Sequence, residues 1–164
     1  MFRISKMTDY GTVVLSQLGD DGSLPTSASD VASRTGLGTA TVSKLLKSLG
    51  RANLVTAQRG SNGGYYLSRP AESISAAEII DAIEGPLAIT ECSSDHQQCD
   101  IRAVCSVGSA WQSINRAIRS TLVSISLADL KNNRAIPDVI PLTPMMSQAN
   151  NTRLDVRANL AKGQ

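Results

Sequence analysis

Hydrophobic positions recur along the chain with first a helical and then a strand period, and the changes of period predict its elements. In "TDYGTVVLSQLG", Tyr10, Val13, Val14 and Leu18 stand near helical spacing, and Gly19 ahead of "DDG" supplies a stop. "SASDVASRTG" reads as a short helix ending at Gly36, and "TATVSKLLKSLGR" as a second after a brief turn. In that second helix Val42, Leu45, Leu46 and Leu49 fall at i, i+3, i+4 and i+7 and form a buried stripe. At about 100° per residue, Lys44, Lys47 and Arg51 take the opposite side, flanked by Thr41 and Ser43. Two short helices joined by a tight Gly-containing turn are a helix-turn-helix arrangement.

The period then changes. "LVTAQRGSNGGYYLS" reads as strand, Gly-rich turn and strand, with Arg59 beside the turn and Tyr65, Tyr66 and Leu67 after it. A hairpin directly after a helix-turn-helix predicts a winged helix, whose tip can place Arg59 in a minor groove or on a phosphate. No Lys-Ser/Thr follows "RGSNGG", which argues against a nucleotide-binding loop. "SISAAEIIDAIEG" opens with Ser75 and Glu78 at capping-box spacing and closes at Gly85. "SAWQSINRAIRSTLVSIS" is a long amphipathic helix with Trp111, Ile114, Ile118, Leu122 and Ile125 three or four apart, and Ser126 can cap a short final turn. Its stripe can pack on its own domain, but its length favours burial against a second copy. From residue 134 onward three prolines and little periodicity predict a disordered tail.

The expected fold is therefore mainly α with a small β-wing. Residues 1–70 form a winged-helix DNA-binding domain, 71–133 a cysteine loop and a dimerisation helix, and 134–164 the tail. At 164 residues there is room for one core or a small domain with an extension. Aromatics are 3% of the chain, so Leu, Ile, Val and Ala must fill the core. No apolar run approaches the roughly 20 residues that span a bilayer, and "MFRISKMTDYG" lacks a signal-peptide pattern. The expectation is a cytoplasmic protein without membrane contact. Residues 1–70 carry eight Lys/Arg against four Asp/Glu, whereas 71–133 carry four against eight, so the first segment is the one suited to an anionic partner.

All three cysteines, Cys92, Cys99 and Cys105, lie in "ECSSDHQQCDIRAVCSVGSAW" together with the single histidine, His96. An odd count in a reducing compartment argues against a disulfide framework. Three readings stay open. With His96 the thiols make a Cys₃His set for zinc, although zinc sites normally start from closer C-x₂₋₄-C pairs. Free thiols can sense redox state, but Cys105 is followed by no cation that would lower its pKa. An iron-sulfur cluster takes thiolates and needs no C-x₂-C pair when a long loop wraps it. No Ser/His/Asp or paired-carboxylate constellation is available, so no enzyme is expected.

The order of helix, helix-turn-helix, wing with "RG-x-x-GGY", capped helix, three-cysteine loop and long helix resembles the Rrf-type winged-helix regulators, the family of the iron-sulfur regulator IscR. The likeness covers residues 2 to 132, and "FRISKMTDYGTVVL" looks most like the branch repressing Suf cluster-assembly operons. It implies a homodimeric repressor on an imperfect palindrome of double-stranded DNA. The implied DNA contacts fall on Thr39, Thr41, Ser43 and Lys44 of the recognition helix and on Arg59 of the wing. The implied cluster ligands are Cys92, Cys99 and Cys105, for a four-iron or two-iron cluster. IscR-like members add a histidine three residues after the third cysteine, but Gly108 stands there. The nitric-oxide-sensing branch uses an aspartate at the start of the partner's first helix, which implies Asp9 as the fourth ligand, with His96 as the alternative.

Overall fold

The computed structural model describes residues 4–20, 23–60, 62–90, 93 and 105–132. Helix α1 spans Lys6–Ser16, and its N-cap Ser5 accepts from the Met7 N–H. Its buried line is Thr8, Gly11, Val14 and Leu15, continued by Leu18 just past its end. Val13, expected in the stripe, is 37% exposed, and Leu15 takes the inward position. Both residues lie within one turn of the same helix, so only the packing partners decide which is buried.

Helix α2 (Ala28–Thr35) starts at Ser27, whose hydroxyl accepts from Asp30 N–H, and ends at Gly36 with φ 72°. An L side chain there would be held in the left-handed region, which glycine occupies without strain. Helix α3 (Thr39–Arg51) buries Val42, Leu45, Leu46 and Leu49 as its spacing predicts. Strands β1 (Val55–Gln58) and β2 (Gly64–Leu67) pair antiparallel, with Val55 opposite Leu67 and Gln58 opposite Gly64. On its other edge β2 is bridged by Thr26, which exchanges two 2.9 Å backbone hydrogen bonds with Tyr65. The wing is thereby tied to the segment entering α2. Gly64 permits this approach, because a Cβ there would lie 2.7 Å from the Thr26 carbonyl oxygen.

A 3₁₀ turn at Ala71–Ser73 leads into α4 (Ala76–Glu84), which carries the full capping box of Ser75 and Glu78. Helix α5 spans Gly108–Ser124, and α6 (Leu127–Lys131) follows with its own capping box, Ser126 with Asp129. The described helices and hairpin thus make the expected winged arrangement, mainly helical with one two-stranded antiparallel sheet.

One apolar core holds these elements. It joins Val14, Leu15, Val31, Leu45, Leu49, Leu54 and Leu67 to Ile74, Ile79 and Leu127, so residues on both sides of position 70 share it. Full burial of each such Leu or Ile contributes about 1.5–3 kcal/mol. The end of α5 is fixed into this core by Ala76 N–H donating to Ile125 O at 2.8 Å and Leu127 N–H donating to Ile74 O at 2.7 Å. Among the described residues, no helix is long and apolar enough to cross a membrane.

Candidate nucleic-acid interface and cysteine segment

Because the Val/Leu stripe of α3 is buried, its opposite side is forced outward. Thr39, Ala40, Lys44, Lys47 and Arg51 are exposed, and Thr41 and Ser43 are half-buried on the flanks. Three cations therefore follow one another along successive turns, with no carboxylate in the helix. Gly38 caps α3 without a side-chain bond, which leaves the first turn's N–H groups unoccupied by a cap. Such an end suits a phosphate, and the polar side behind it suits a groove of bases. Arg59 is exposed between the end of β1 and Gly60, whose φ of 122° sharpens the turn. The structure thus presents Lys44 and Arg59 to solvent, with Thr41 and Ser43 flanking Lys44. Exposed Ala40, at the centre of the first turn, escaped the sequence reading because alanine carries neither charge nor a hydrogen-bonding group.

A second surface lies on α1. Ile4, Asp9, Thr12, Ile79, Ile80, Leu122, Ile125 and Leu130 line an open, mainly apolar groove of about 600 Å³. Asp9 stands exposed on its wall. Nearby, α5 leaves Trp111 39% and Ile114 44% exposed, while Ile118, Leu122 and Ile125 are half-buried. Trp111 and Ile114 of the predicted stripe therefore stand outside the core formed by the described residues.

Glu84, the last residue of α4, reaches across to the start of α1. Its Oε1 accepts from Ser5 N–H at 2.9 Å and from the Thr8 hydroxyl. The Thr8 hydroxyl above all, and then the Ser5 N–H, hold this carboxyl below the usual carboxylate range. At the other end of α4, Glu78 accepts from Ser75 and pairs with Arg69, the residue two beyond β2. Burial raises that carboxyl, but the Ser75 bonds and Arg69 together outweigh it and hold it low. Helix α4 is thus linked by carboxylates to α1 at one end and to the stem of the wing at the other.

Cys105 is half-buried and free, with its Sγ 3.7 Å from where a Cβ on Gly108 would stand, at the foot of α5. Cys92, His96 and Cys99 lie outside the described residues. Among the described residues no group of three His, Cys, Asp or Glu side chains could hold a metal ion. Asp9 and Cys105 are not brought together within the one chain into such a group.

A family model described as an iron-dependent transcriptional regulator, Rrf2, matches residues 4–133. The HTH-type transcriptional regulator ORF2 of Azotobacter vinelandii is 36% identical over 118 residues, 72% of this chain and 71% of its own length. Among solved structures, CymR, the global cysteine regulator of B. subtilis, is 28% identical with a TM-score of 0.60, covering 81% of this chain and 98% of its own. IscR of T. potens is 27% identical with a TM-score of 0.57, covering 85% and 93%.

Proposed function

The chain belongs to the Rrf2 family of transcriptional regulators, and on that premise we propose that it is a homodimeric DNA-binding repressor responsive to an iron-sulfur cluster. Members of this family regulate transcription and are not enzymes. The observation that carries the DNA-binding half is the exposed line Lys44, Lys47 and Arg51 opposite the buried Leu stripe of α3. Thr39, Thr41, Ser43 and Lys44 meet base edges in a major groove, and Arg59 meets the minor groove or backbone from the wing. Two such units related by a twofold axis read an imperfect palindrome. The partner half is a second copy of the chain, whose α5 stripe supplies the apolar surface that the α1 groove and Trp111 leave unmatched.

The donor set fits an iron-sulfur cluster. Every thiol of the chain lies within one segment, soft thiolates suit such clusters, and three thiols leave one position for another ligand. Cys92, Cys99 and Cys105 would hold it, with Asp9 of the second copy as fourth ligand and His96 as the alternative. When bound, the cluster supplies a centre that oxygen, nitric oxide or iron limitation can alter. The exposure of Asp9 on the groove wall supports a ligand role across the subunit interface, because there it has access to another chain. Asp9 lies on α1, which packs on α3 through the shared core, so whatever holds Asp9 also biases the recognition helix. An oxygen donor is the hardest of the four ligands and the weakest match for iron beside thiolates. The resemblance of the N-terminal segment supports Suf-type assembly operons as the targets, and a regulator that acts on DNA works in the cytoplasm.

Similarity to the cysteine regulator CymR favours a second reading, in which the same fold answers to a different signal. A separate alternative is a zinc-stabilised winged-helix DNA-binding module without a cluster, with His96 completing the site. The test is anaerobic purification followed by reconstitution of wild type, Asp9→Ala and His96→Ala. A brown wild type containing iron and sulfide, with a spectrum altered by Asp9→Ala, is expected. A colourless zinc protein, or disturbance by His96→Ala alone, overturns the cluster or its cross-subunit ligand respectively.

A further inference from the structure

The stem of the cysteine segment is held by side chains that neither the groove nor the recognition helix uses. Asn115 is the buried residue of α5, a polar side chain on the inner face of an otherwise surface-lying helix. Its Oδ1 accepts from Ile89 N–H at 3.2 Å, and its Nδ2 donates to the Leu87 carbonyl at 3.2 Å. Asp81 of α4 completes the grip. Its Oδ1 accepts from Leu87 N–H at 3.3 Å, and its two oxygens take the Arg119 guanidinium at 3.1 and 2.6 Å. Three backbone groups of the segment 87–89 are therefore satisfied by side chains from two helices. Half-buried backbone groups of this kind usually find their partners in a ladder or a helix, which this segment lacks.

The placement of this clamp matters more than its strength. Asp81, Pro86, Leu87, Asn115 and Arg119 line a small hollow of about 250 Å³ together with Ser93, the residue after Cys92. The clamp thus sits where the chain leaves α4 on its way to the first thiol, and it hangs from the helix whose foot carries Cys105. An amide can do this because it offers one donor and one acceptor in a fixed plane, the same pair that a peptide group offers.

We propose that Asn115 is a positioning residue for the thiol segment: its amide ties residues 87–89, the stem from which the chain runs on to that segment, to α5, the helix whose foot carries Cys105. This rests on the cluster reading above for its function, although the clamp itself does not. The role is one of support around a ligand set, which commonly changes affinity or lifetime without touching the metal.

The experiment compares wild type, Asn115→Ala and the near-isosteric Asn115→Asp, which keeps an acceptor for Ile89 N–H but loses the donor to Leu87. Amide hydrogen exchange of the peptide covering residues 86–93 is followed in the metal-free dimer, and decay of the visible chromophore in air is followed in the reconstituted protein. Exchange of the stem should rise about tenfold in Asn115→Ala, the effect of the acceptor lost by the Ile89 N–H, with chromophore lifetime shortened in proportion. Asn115→Asp should fall between, and metal-free operator affinity should stay at the wild-type value in both. Wild-type exchange in both variants overturns the proposal. So does faster exchange with an unchanged chromophore lifetime, the pattern of a merely structural residue. A colourless wild type defeats the cluster reading alone, and stem exchange then still decides whether Asn115 holds the segment.

Discussion

Replacing Lys47 by alanine removes one cation from the middle of the exposed side of α3, one turn beyond Lys44 and one before Arg51. Lys47 is exposed and is not part of the Val/Leu stripe, so the helix and its core should be undisturbed. Its position past the first turn suits a phosphate rather than a base edge. A dimer loses two such contacts, and each phosphate contact contributes about 0.9 to the slope of log affinity against log salt, so the slope should fall by about 1.8. Between 50 and 200 mM salt, wild type should lose about twelvefold more affinity than the variant, which is fourfold raised to the power 1.8. Fluorescence anisotropy on a selected palindrome and on a scrambled duplex measures both. The loss should be the same on the two sequences. Lys44→Ala should instead narrow the gap between them by about 1–3 kcal/mol per half-site, as expected for a base-edge contact. A Lys47→Ala slope equal to wild type, or a loss confined to the palindrome, would refute this assignment of the face.

Ile114→Glu places a charge on an outward apolar position of α5, so the isolated subunit should keep its fold while sedimentation shows monomers and palindrome affinity falls. Persistence of the dimer would show that the α5 stripe is not the interface. Glu84 has a lowered folded pKa, so its stabilisation is complete above the unfolded carboxylate value of about 4.3 and is lost as pH falls through the folded value. Urea midpoints measured from pH 7 down to pH 3 should therefore decline less in Glu84→Gln than in wild type, and parallel curves would contradict the Ser5–Thr8–Glu84 link. Gly36→Ala should destabilise by about 1–2 kcal/mol in urea unfolding, from backbone strain alone, since a Cβ there meets no atom.

The local elements were legible because each rests on short-range chemistry. The i, i+3, i+4, i+7 spacing of Val42, Leu45, Leu46 and Leu49 and the Ser75–Glu78 capping pair both survive as read. What escaped the sequence depends on partners far along the chain. Leu15 rather than Val13 faces the core because α3 and α4 select one side of α1. The Thr26–Tyr65 bridge joins residues with no shared pattern, and its trace is only the glycine at position 64. Glu84 and Asn115 read as ordinary polar positions of amphipathic helices, yet one holds the start of α1 and the other the stem of the cysteine segment. The cysteines were conspicuous as a group, but spacing alone left zinc, free thiols and a cluster open. Of that set Cys105 is described, at the foot of α5, and the ligand assignment stays with the chemistry of the donors.

The proposed switch is tested most directly by the operator affinity of one anaerobic preparation before and after its iron is removed by chelation. Coupling between a ligand and a distant interface typically amounts to about 5- to 150-fold, and a shift of that size is expected on the palindrome. Asp9→Ala, still dimeric, should bind like the iron-free protein whether or not it has been reconstituted. Equal affinity of the loaded and stripped wild type would contradict regulation by a cluster, and an Asp9→Ala variant that switches as fully as wild type would contradict the part assigned to α1.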